Sequence, residues 1–332
     1  MLEKIKISVI IPMYNCEGKV SGIISDLKKQ TYSNFEAVLI DDGSTDSTYR
    51  VSVESCKDDK RFKIFRTKNN GPGSARNFGI SKISGEYFRF IDADDRINEE
   101  SLELLIRPIL NDISIDLVIG KVKYSRNAWQ SNQVGKLDFD SFIKDFSNDF
   151  FGEYYGFSTN KVYRKKIIDK YNLKMSEDLR WCEDYLFNLE YYSYIKNVYY
   201  VPKEMYHYVI AEGSLASQVD IEYRNKIEKI CIKHLKLFLQ NKNQFEKEEI
   251  KVAYSDSVAY LYHSQLCNLV GYKASFSKIK ADCMNEDNQE FWKKYHNINR
   301  IRFYSTIKFL FSKRLFRLLY SFIVIKEKAK GG

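Results

Sequence analysis

Five short stretches of this sequence place reactive residue types close together. At 90–95, Phe90-Ile91-Asp92-Ala93-Asp94-Asp95 sets three carboxylates within four residues after an apolar run. Clustered carboxylates repel one another unless something positive lies between them. Hard oxygen ligands of this kind suit Mg²⁺ or Mn²⁺ bridging to a diphosphate. Acids at a helix start, ahead of Asn98-Glu99-Glu100, would account for Asp95 but poorly for Asp92. At 181–187, Glu183-Asp184 precedes an apolar helical spacing, Leu186 and Leu189. A carboxylate there could act as a general base, and a charged first turn facing the helix dipole is the plainer alternative. Glu177-Asp178 is the competing acidic pair, in more polar surroundings.

Three further stretches could meet a nucleotide. Pro12-Met13-Tyr14-Asn15, with Glu17, offers a ring and polar groups to a planar ligand, or is an ordinary strand-to-helix turn. Asp42, where Leu39-Ile40-Asp41-Asp42-Gly43-Ser44 leaves an apolar run, could accept from a base N–H, or serve only in turn chemistry. Asn69-Asn70-Gly71-Pro72-Gly73-Ser74-Ala75-Arg76-Asn77 contains glycines without the GxGxxG spacing, because Arg76 stands in the third glycine's place, which weighs against a dinucleotide oxidoreductase. Arg76 could neutralise a phosphate at a helix N-terminus or be a plain surface arginine.

Positioning these groups requires elements that end beside one another. Short β-branched runs at about 5–11, 36–41, 62–66, 87–91 and 116–121 alternate with amphipathic stretches at about 17–30, 46–57, 73–83 and 99–110. That rhythm predicts α/β architecture with βαβ units around a mostly parallel sheet. The candidate residues fall at the strand ends, where open α/β sheets bind ligands. From 126 to about 220 the pattern is less regular and rich in aromatics, and is expected to complete the same domain. Beyond Asp220 the chain reads as successive helices. The expected domains are therefore 1–218, catalytic, and 219–332, helical.

Composition narrows the function. The 332 residues are 44% hydrophobic and 29% charged, enough for a substantial core. The formal net charge of +9 is concentrated at the end: residues 291–332 carry eleven basic residues against Glu327, whereas residues 1–110 hold equal numbers of acids and bases. The front of the protein thus offers no broad positive field, and nucleic acid is not an expected partner. Six scattered cysteines without a CxxC pair fit reduced thiols in a cytoplasmic setting. No secretory leader is expected, since the apolar run 7–11 stops at Pro12, and no run is long enough for a conventional membrane span.

In this order and spacing the motifs resemble the family 2 inverting glycosyltransferases of the GT-A (Rossmann-like) fold, over about residues 5–215. The resemblance rests on VIIPMYNCE at 9–17, LIDDGSTDST at 39–48, NNGPGSARNFG at 69–79, FIDADD at 90–95 and CEDYLF at 182–187. It implies that Pro12, Tyr14 and Glu17 line a nucleoside pocket, that Asp42 reads uracil, and that Asn69 and Arg76 contact the base or phosphates of a UDP-sugar donor. Asp92, Ala93 and Asp94 would form the DxD element, with Asp92 toward the ribose and donor sugar and Asp94, helped by Asp92, on Mg²⁺ or Mn²⁺. Asp184 matches the catalytic base, and Glu183 would hold the sugar or orient its neighbour. The implied acceptor is a hydroxyl of a glycan, a lipid-linked oligosaccharide or a cell-surface polymer. One departure stands out: many relatives carry an arginine in the loop after the last catalytic strand, and 206–214 has none. His207 there is read as structural.

Two rivals remain at this level. A sugar nucleotidyltransferase should show a Gly/Arg-rich loop after the first strand, which Met13-Tyr14-Asn15-Cys16-Glu17 is not; a non-catalytic sugar-nucleotide-binding protein would not need Asp184. Across 300–325, Arg302, Lys313, Arg314 and Arg317 gather on one side of a helical wheel, opposite a broad aromatic and aliphatic face. That pattern predicts either peripheral binding to an anionic inner membrane face or packing of this face on the preceding helices or on another subunit of a homo-oligomer.

Overall fold

The apolar run Ile7–Met13 becomes strand β1, with six of its seven residues buried, and Phe35–Asp41 becomes β2, buried throughout. Strands covered on both faces lose the apolar/polar alternation and read as continuous hydrophobic stretches. The computed structural model describes residues 5–124, 128–209 and 220–271. Within it, β1 pairs in parallel with β2 and with β4 (Tyr87–Phe90), and β2 with β3 (Phe62–Arg66). β3 forms one edge of the sheet and alternates half-buried Phe and Ile with exposed Lys63 and Arg66, charges that discourage further strand pairing.

The nine strands run in the order β3-β2-β1-β4-β8-β6-β9-β5, with β7 (Gly135–Asp138) paired to β9 off this path. β6 (Leu117–Lys123) and β9 (Asn197–His207) are parallel, and the longer ladders are the parallel ones, so the sheet is mostly parallel as expected. The section read as irregular supplies β8 (Lys161–Arg164), which is antiparallel to both β4 and β6 and wedges between them. β9 shifts register against β6 near Lys121 and carries on to pair with the two-residue strand β5 (Arg96–Ile97). This long, bulged strand brings Tyr206 and His207 beside the chain that leaves β4.

Helices cover the sheet through apolar stripes. In α1 (Val20–Lys28) Val20, Ile23, Ile24 and Leu27 are buried, and in α4 (Ser101–Asn111) Leu102, Leu105, Ile106 and Ile109, the i, i+3, i+4, i+7 spacing of one helical face. Between them in sequence lie α2 (Thr48–Cys56) and α3 (Pro72–Lys82). α3 starts with Pro72 at a position needing no N–H partner and buries small residues, Gly73, Ala75 and Gly79. A side chain at Gly79 would collide with Ile10 of β1 and Ile40 of β2, so glycine lets this helix lie directly on the strands. The remaining elements of this part are α5 (Phe139–Phe146), the short α6 (Glu153–Gly156), α7 (Lys165–Tyr171) and α8 (Glu183–Tyr192).

The chain divides into two compact units, Met1–Val219 and Asp220–Gly332. The second begins with α9 (Ile221–Asn241), whose N-cap Asp220 accepts a hydrogen bond from Tyr223 N at 2.8 Å, and continues into α10 (Glu248–Gly271). α10 packs on α9, and Phe245 meets Tyr254 edge to face. The amphipathic stretch 300–325 lies outside the described residues. Among the described residues no helix is long and apolar enough to cross a membrane.

Candidate active site

Two layers of interactions meet at the strand ends. The first laces together the loops after β1 and β2. Asn15 adopts a positive φ of 47° and accepts from Thr45 N at 2.9 Å, while its own N–H reaches Ser44 Oγ at 3.0 Å. Cys16 N donates to Thr48 Oγ1 at 2.7 Å, and Glu17 accepts from Ser47 N at 2.7 Å. Gly43, at φ +69°, is required twice over, since a Cβ there would fall 2.7 Å from Asn69 N. Asp42, nearly buried, then accepts from Gly71 N at 2.8 Å, Asn70 N at 3.1 Å and Thr67 Oγ1 at 3.2 Å. Its carboxylate therefore pins the third loop to the second strand. A carboxylate offers about four lone-pair sites, so about one stays open to a ligand. Tyr14 projects beside this scaffold with 47% of its surface exposed.

The second layer is ionic and centres on Arg76. Its guanidinium, on the first half of α3, is buried and donates to Asp92 Oδ1 at 2.7 Å and Glu183 Oε1 at 2.9 Å, with Asp184 Oδ1 at 3.4 Å. Burial alone would lower the arginine's pKa, but Asp184, Asp92 and Glu183 together hold it above its ordinary value. The carboxylates show the reverse. Burial pushes Glu183 up to about 7, reinforced by Asp184 and opposed by Arg76, and burial likewise raises Asp92 against the pull of Arg76. Three carboxylates face one guanidinium, and the raised Glu183 and Asp92 are what burial together with that ratio produces.

Asp95 extends the acidic cluster. It is buried, and burial followed by the charge of Asp92 pushes it up to about 8. The Tyr206 hydroxyl from the end of β9 donates to Asp95 in a short hydrogen bond and accepts from Asp92 N at 3.2 Å. Val209 N donates to Asp95 Oδ1 at 2.8 Å. Asp94 has the opposite setting. Its side chain is 37% exposed and lies 3.5 Å from Lys19 Nζ. Ala93, between Asp92 and Asp94, is buried.

Asp184 stands in the first turn of α8, after Cys182, which takes a left-handed conformation at φ 63°. Its Oδ2 accepts from Ser158 Oγ at 2.7 Å and Ser158 N at 3.1 Å. The competing Asp178 is exposed, and Glu177 accepts from Asn77 Nδ2 at 2.9 Å, on the outer side of α3.

The sequence model for Glycosyl transferase family 2 matches residues 8–171. A glycosyltransferase of Haemophilus influenzae is 36% identical over 188 residues, which cover 55% of this chain and 70% of that protein. The chain belongs to glycosyl transferase family 2. EpsH of Bacillus subtilis, which also carries a glycosyltransferase name, is 29% identical over 288 residues, covering 83% of this chain and 80% of EpsH. Among solved structures, TarS 1-349 of Staphylococcus aureus in complex with UDP superposes with a TM-score of 0.71 at 20% identity, covering 98% of this chain and 92% of that one. The shared fold is the GT-A arrangement that the motifs resembled.

Against this family background, the residues named from sequence separate into two sets. Arg76, Asp92, Glu183 and Asp184 come together in one ion cluster, with Asp94 at its rim. Tyr14, Glu17, Asp42 and Asn69 form the neighbouring loop assembly, in which Asn69 is exposed and Pro12 is the half-buried penultimate residue of β1. Arg76 is engaged by carboxylates, the partners that Asp92 and the Glu183-Asp184 pair supply from distant parts of the chain. Nothing in the sequence singles out Ser158 or Tyr206, and Asp95 reads there either as one of three clustered carboxylates or as a helix-start acid. The spacing of Asp95 behind Asp92 and Asp94 was visible, but its partner Tyr206 lies 111 residues away. His207 is a ladder residue opposite Arg96, and burial and Lys123 lower its pKa.

Among the described residues no group of three or more His, Cys, Asp or Glu side chains is arranged to hold a metal ion. Two carboxylates, Asp92 and the outward Asp94, fit a hard divalent cation that takes its other ligands from water and substrate phosphates. A cation bound at the same place would act against the burial that raises Glu183 and Asp92.

Proposed function

We propose that this protein is an inverting glycosyltransferase that moves a sugar from a UDP-sugar to a hydroxyl of a glycan, lipid-linked oligosaccharide or cell-surface polymer, with Mg²⁺ or Mn²⁺ on Asp94 and Asp92. The observation that carries this reading is the ion cluster, which sets the Asp92/Asp94 turn and the Glu183-Asp184 helix start around one buried guanidinium. UDP in TarS supports the nucleotide, as does the loop assembly that leaves Tyr14 and one site on Asp42 open for a uridine. Pro12 and Glu17 back this pocket, and Asn69 flanks it.

The chemistry follows from these placements. Asp184 removes the proton from the acceptor hydroxyl as its oxygen bonds to the anomeric carbon, and the bond from that carbon to the β-phosphate oxygen breaks on the opposite face. One displacement inverts the centre and releases UDP. Arg76 holds Asp92, Glu183 and Asp184 in fixed relation, and Glu183 lies where it can orient Asp184 or meet the donor sugar. A bound divalent cation would stabilise the charge that develops on the departing diphosphate. The basic C-terminal stretch would keep the enzyme near a lipid-linked acceptor on an anionic inner membrane surface, or join copies of the chain.

The test is UDP release from UDP-glucose, UDP-galactose, UDP-GlcNAc and UDP-GalNAc with and without Mn²⁺. Asp184→Asn should lower turnover by roughly 10²-fold or more with UDP affinity nearly unchanged. Asp94→Ala should abolish the metal-dependent part of UDP binding while the melting temperature stays constant. Full activity in excess chelator, or an inactive Asp178→Asn beside an active Asp184→Asn, would overturn the assignment.

A further inference from the structure

The backbone from 154 to 158 turns at the end of the short helix α6 and is held by side chains. Asn188 Nδ2 donates to the carbonyls of Gly156 at 2.7 Å, Tyr155 at 3.1 Å and Phe157 at 3.2 Å. Lys161, fully buried, reaches Tyr154 O at 2.9 Å and also Phe157 O, and Tyr192 Oη donates to Tyr155 O at 2.8 Å. Among the described residues no acid forms an ion pair with Lys161 Nζ; the carbonyl oxygens and Asn160 Oδ1 at 2.8 Å are its partners. Burial pushes its pKa down, opposed by the charge of Asp184. A buried lysine is costly unless its donors are hydrogen-bonded, and here they are spent on the carbonyls of this turn.

What this turn carries is Ser158, itself fully buried, with both its N–H and its hydroxyl on Asp184 Oδ2. Asp184 and Asn188 are one turn apart on α8 and therefore share a face. Both grip the same strip of backbone, Asn188 through the carbonyls of 155–157 and Asp184 through Ser158. The helix start and the turn are thus locked to each other at two points, and the Asp184 carboxylate has lost its rotational freedom about the terminal bond. Arg76, 3.4 Å from Oδ1 without a hydrogen bond to it, limits the other side.

We infer that Ser158 is a positioning residue for the glycosyl transfer step, orienting the Asp184 carboxylate from a turn that Lys161 and Asn188 hold rigid. The inference rests on Asp184 being the base. It predicts that Ser158 acts on turnover through Asp184, because the serine is buried and its side chain is hydrogen-bonded to that carboxylate.

The experiment is a double-mutant cycle on the full-length protein, read as UDP release from the four UDP-sugars above with Mn²⁺, together with calorimetric UDP binding. Ser158→Ala should lower kcat by about 10- to 100-fold, as expected when a reacting group is displaced by an ångström or less. UDP affinity and donor KM should stay within about twofold, and Ser158→Thr should restore most of the turnover. In an Asp184→Asn background, Ser158→Ala should cost less than about threefold further, the non-additivity of residues acting as a unit. Ser158→Cys, nearly isosteric, replaces the threonine variant if that one melts early. Equal losses in both backgrounds, or wild-type turnover by Ser158→Ala beside a crippled Asp184→Asn, would overturn the role of Ser158 and leave the base in place. An active Asp184→Asn, or no UDP release by the wild type from any donor, would defeat the functional reading itself and the role of Ser158 with it.

Discussion

The loop assembly around Asp42 and the ion cluster around Arg76 are neighbours at the same strand ends, yet they are held by different forces. The first is a set of backbone N–H groups on side-chain oxygens, drawn from three loops that follow successive strands, with glycine at the one close approach. The second joins residues from α3, the end of β4 and the start of α8 through charge, with carboxylates in excess. A hydrogen-bonded turn scaffold has the same shape whether or not a ligand is present. A charge-imbalanced cluster is held together by a single cation and is left asking for another. The contrast teaches that one side of this site is built as a shape and the other as an electrostatic potential.

Removing Arg76 should break that comparison most severely. Arg76→Ala leaves Asp92 and Glu183 without their cation, and loss of one partner from a buried ion pair costs about 3–5 kcal/mol. The unfolding midpoint in urea at pH 7 should fall accordingly, and an unchanged midpoint would show that the cluster is not held by this arginine. On the loop side, Asp42→Ala strands two N–H groups and the Thr67 hydroxyl, for about 1–3 kcal/mol. That loss should be insensitive to added Mn²⁺, measured by the same unfolding curves.

pH gives a subtler separation. Glu183 binds its proton more tightly in the folded state, at about 7 against an ordinary value of 4.5. Its contribution therefore favours folding fully below about 4.5 and is lost as pH rises through 7. Glu36 in β2 behaves oppositely. Lys63, Ser84 and Ser8 outweigh its burial and hold its carboxyl far below the ordinary range, so its contribution is present above 4.5 and is lost as pH falls. Glu183→Gln should flatten the decline of melting temperature between pH 5 and 7, whereas Glu36→Gln should leave that decline intact and lower stability at neutral pH. The smallest effect belongs to Tyr14→Ala, an exposed ring whose loss should change stability by less than about 0.5 kcal/mol. Weaker UDP binding by this variant in calorimetry would mark the ring as part of the nucleoside pocket.

The same contrast explains what could be read from the chain alone. The first four parallel strands and four helices were visible to within a few residues, because apolar runs and helical stripes are local signals. The loops they end in were visible as runs of turn-forming residues, although the partners of Asp42 at Thr67, Asn70 and Gly71 lie 25, 28 and 29 residues further on. β8 was not seen, since four residues with Lys161 among them carry no strand pattern until β4 and β6 flank them. Arg76 reads as a phosphate ligand or a plain surface arginine because nothing within its own loop announces Glu183. Ser158, Asn188 and Tyr206 look like ordinary polar residues, and their roles exist only once distant segments are packed together. For the same reason Arg89, fully buried against Ser101 Oγ and the Thr159 carbonyl, gave no sign of its burial.

Arg76 also bears on the order in which this molecule can be assembled. Its bond to Asp92 closes 16 residues of chain, but the one to Glu183 closes 107. The stretch matched by the family model ends at Tyr171, before α8 begins. A nascent chain that has delivered β1 to α7 therefore has its nucleotide loops in reach while the guanidinium still lacks two of its three carboxylates. Long-range contacts of this kind form late, after the loop-closure cost has been met. The loops after β1, β2 and β3 are thus delivered before the proposed base, and β9, which brings Tyr206 to Asp95 across 111 residues, follows both. Through the arginine, the proposed chemical competence waits on a segment more than a hundred residues downstream of the loop that carries the guanidinium.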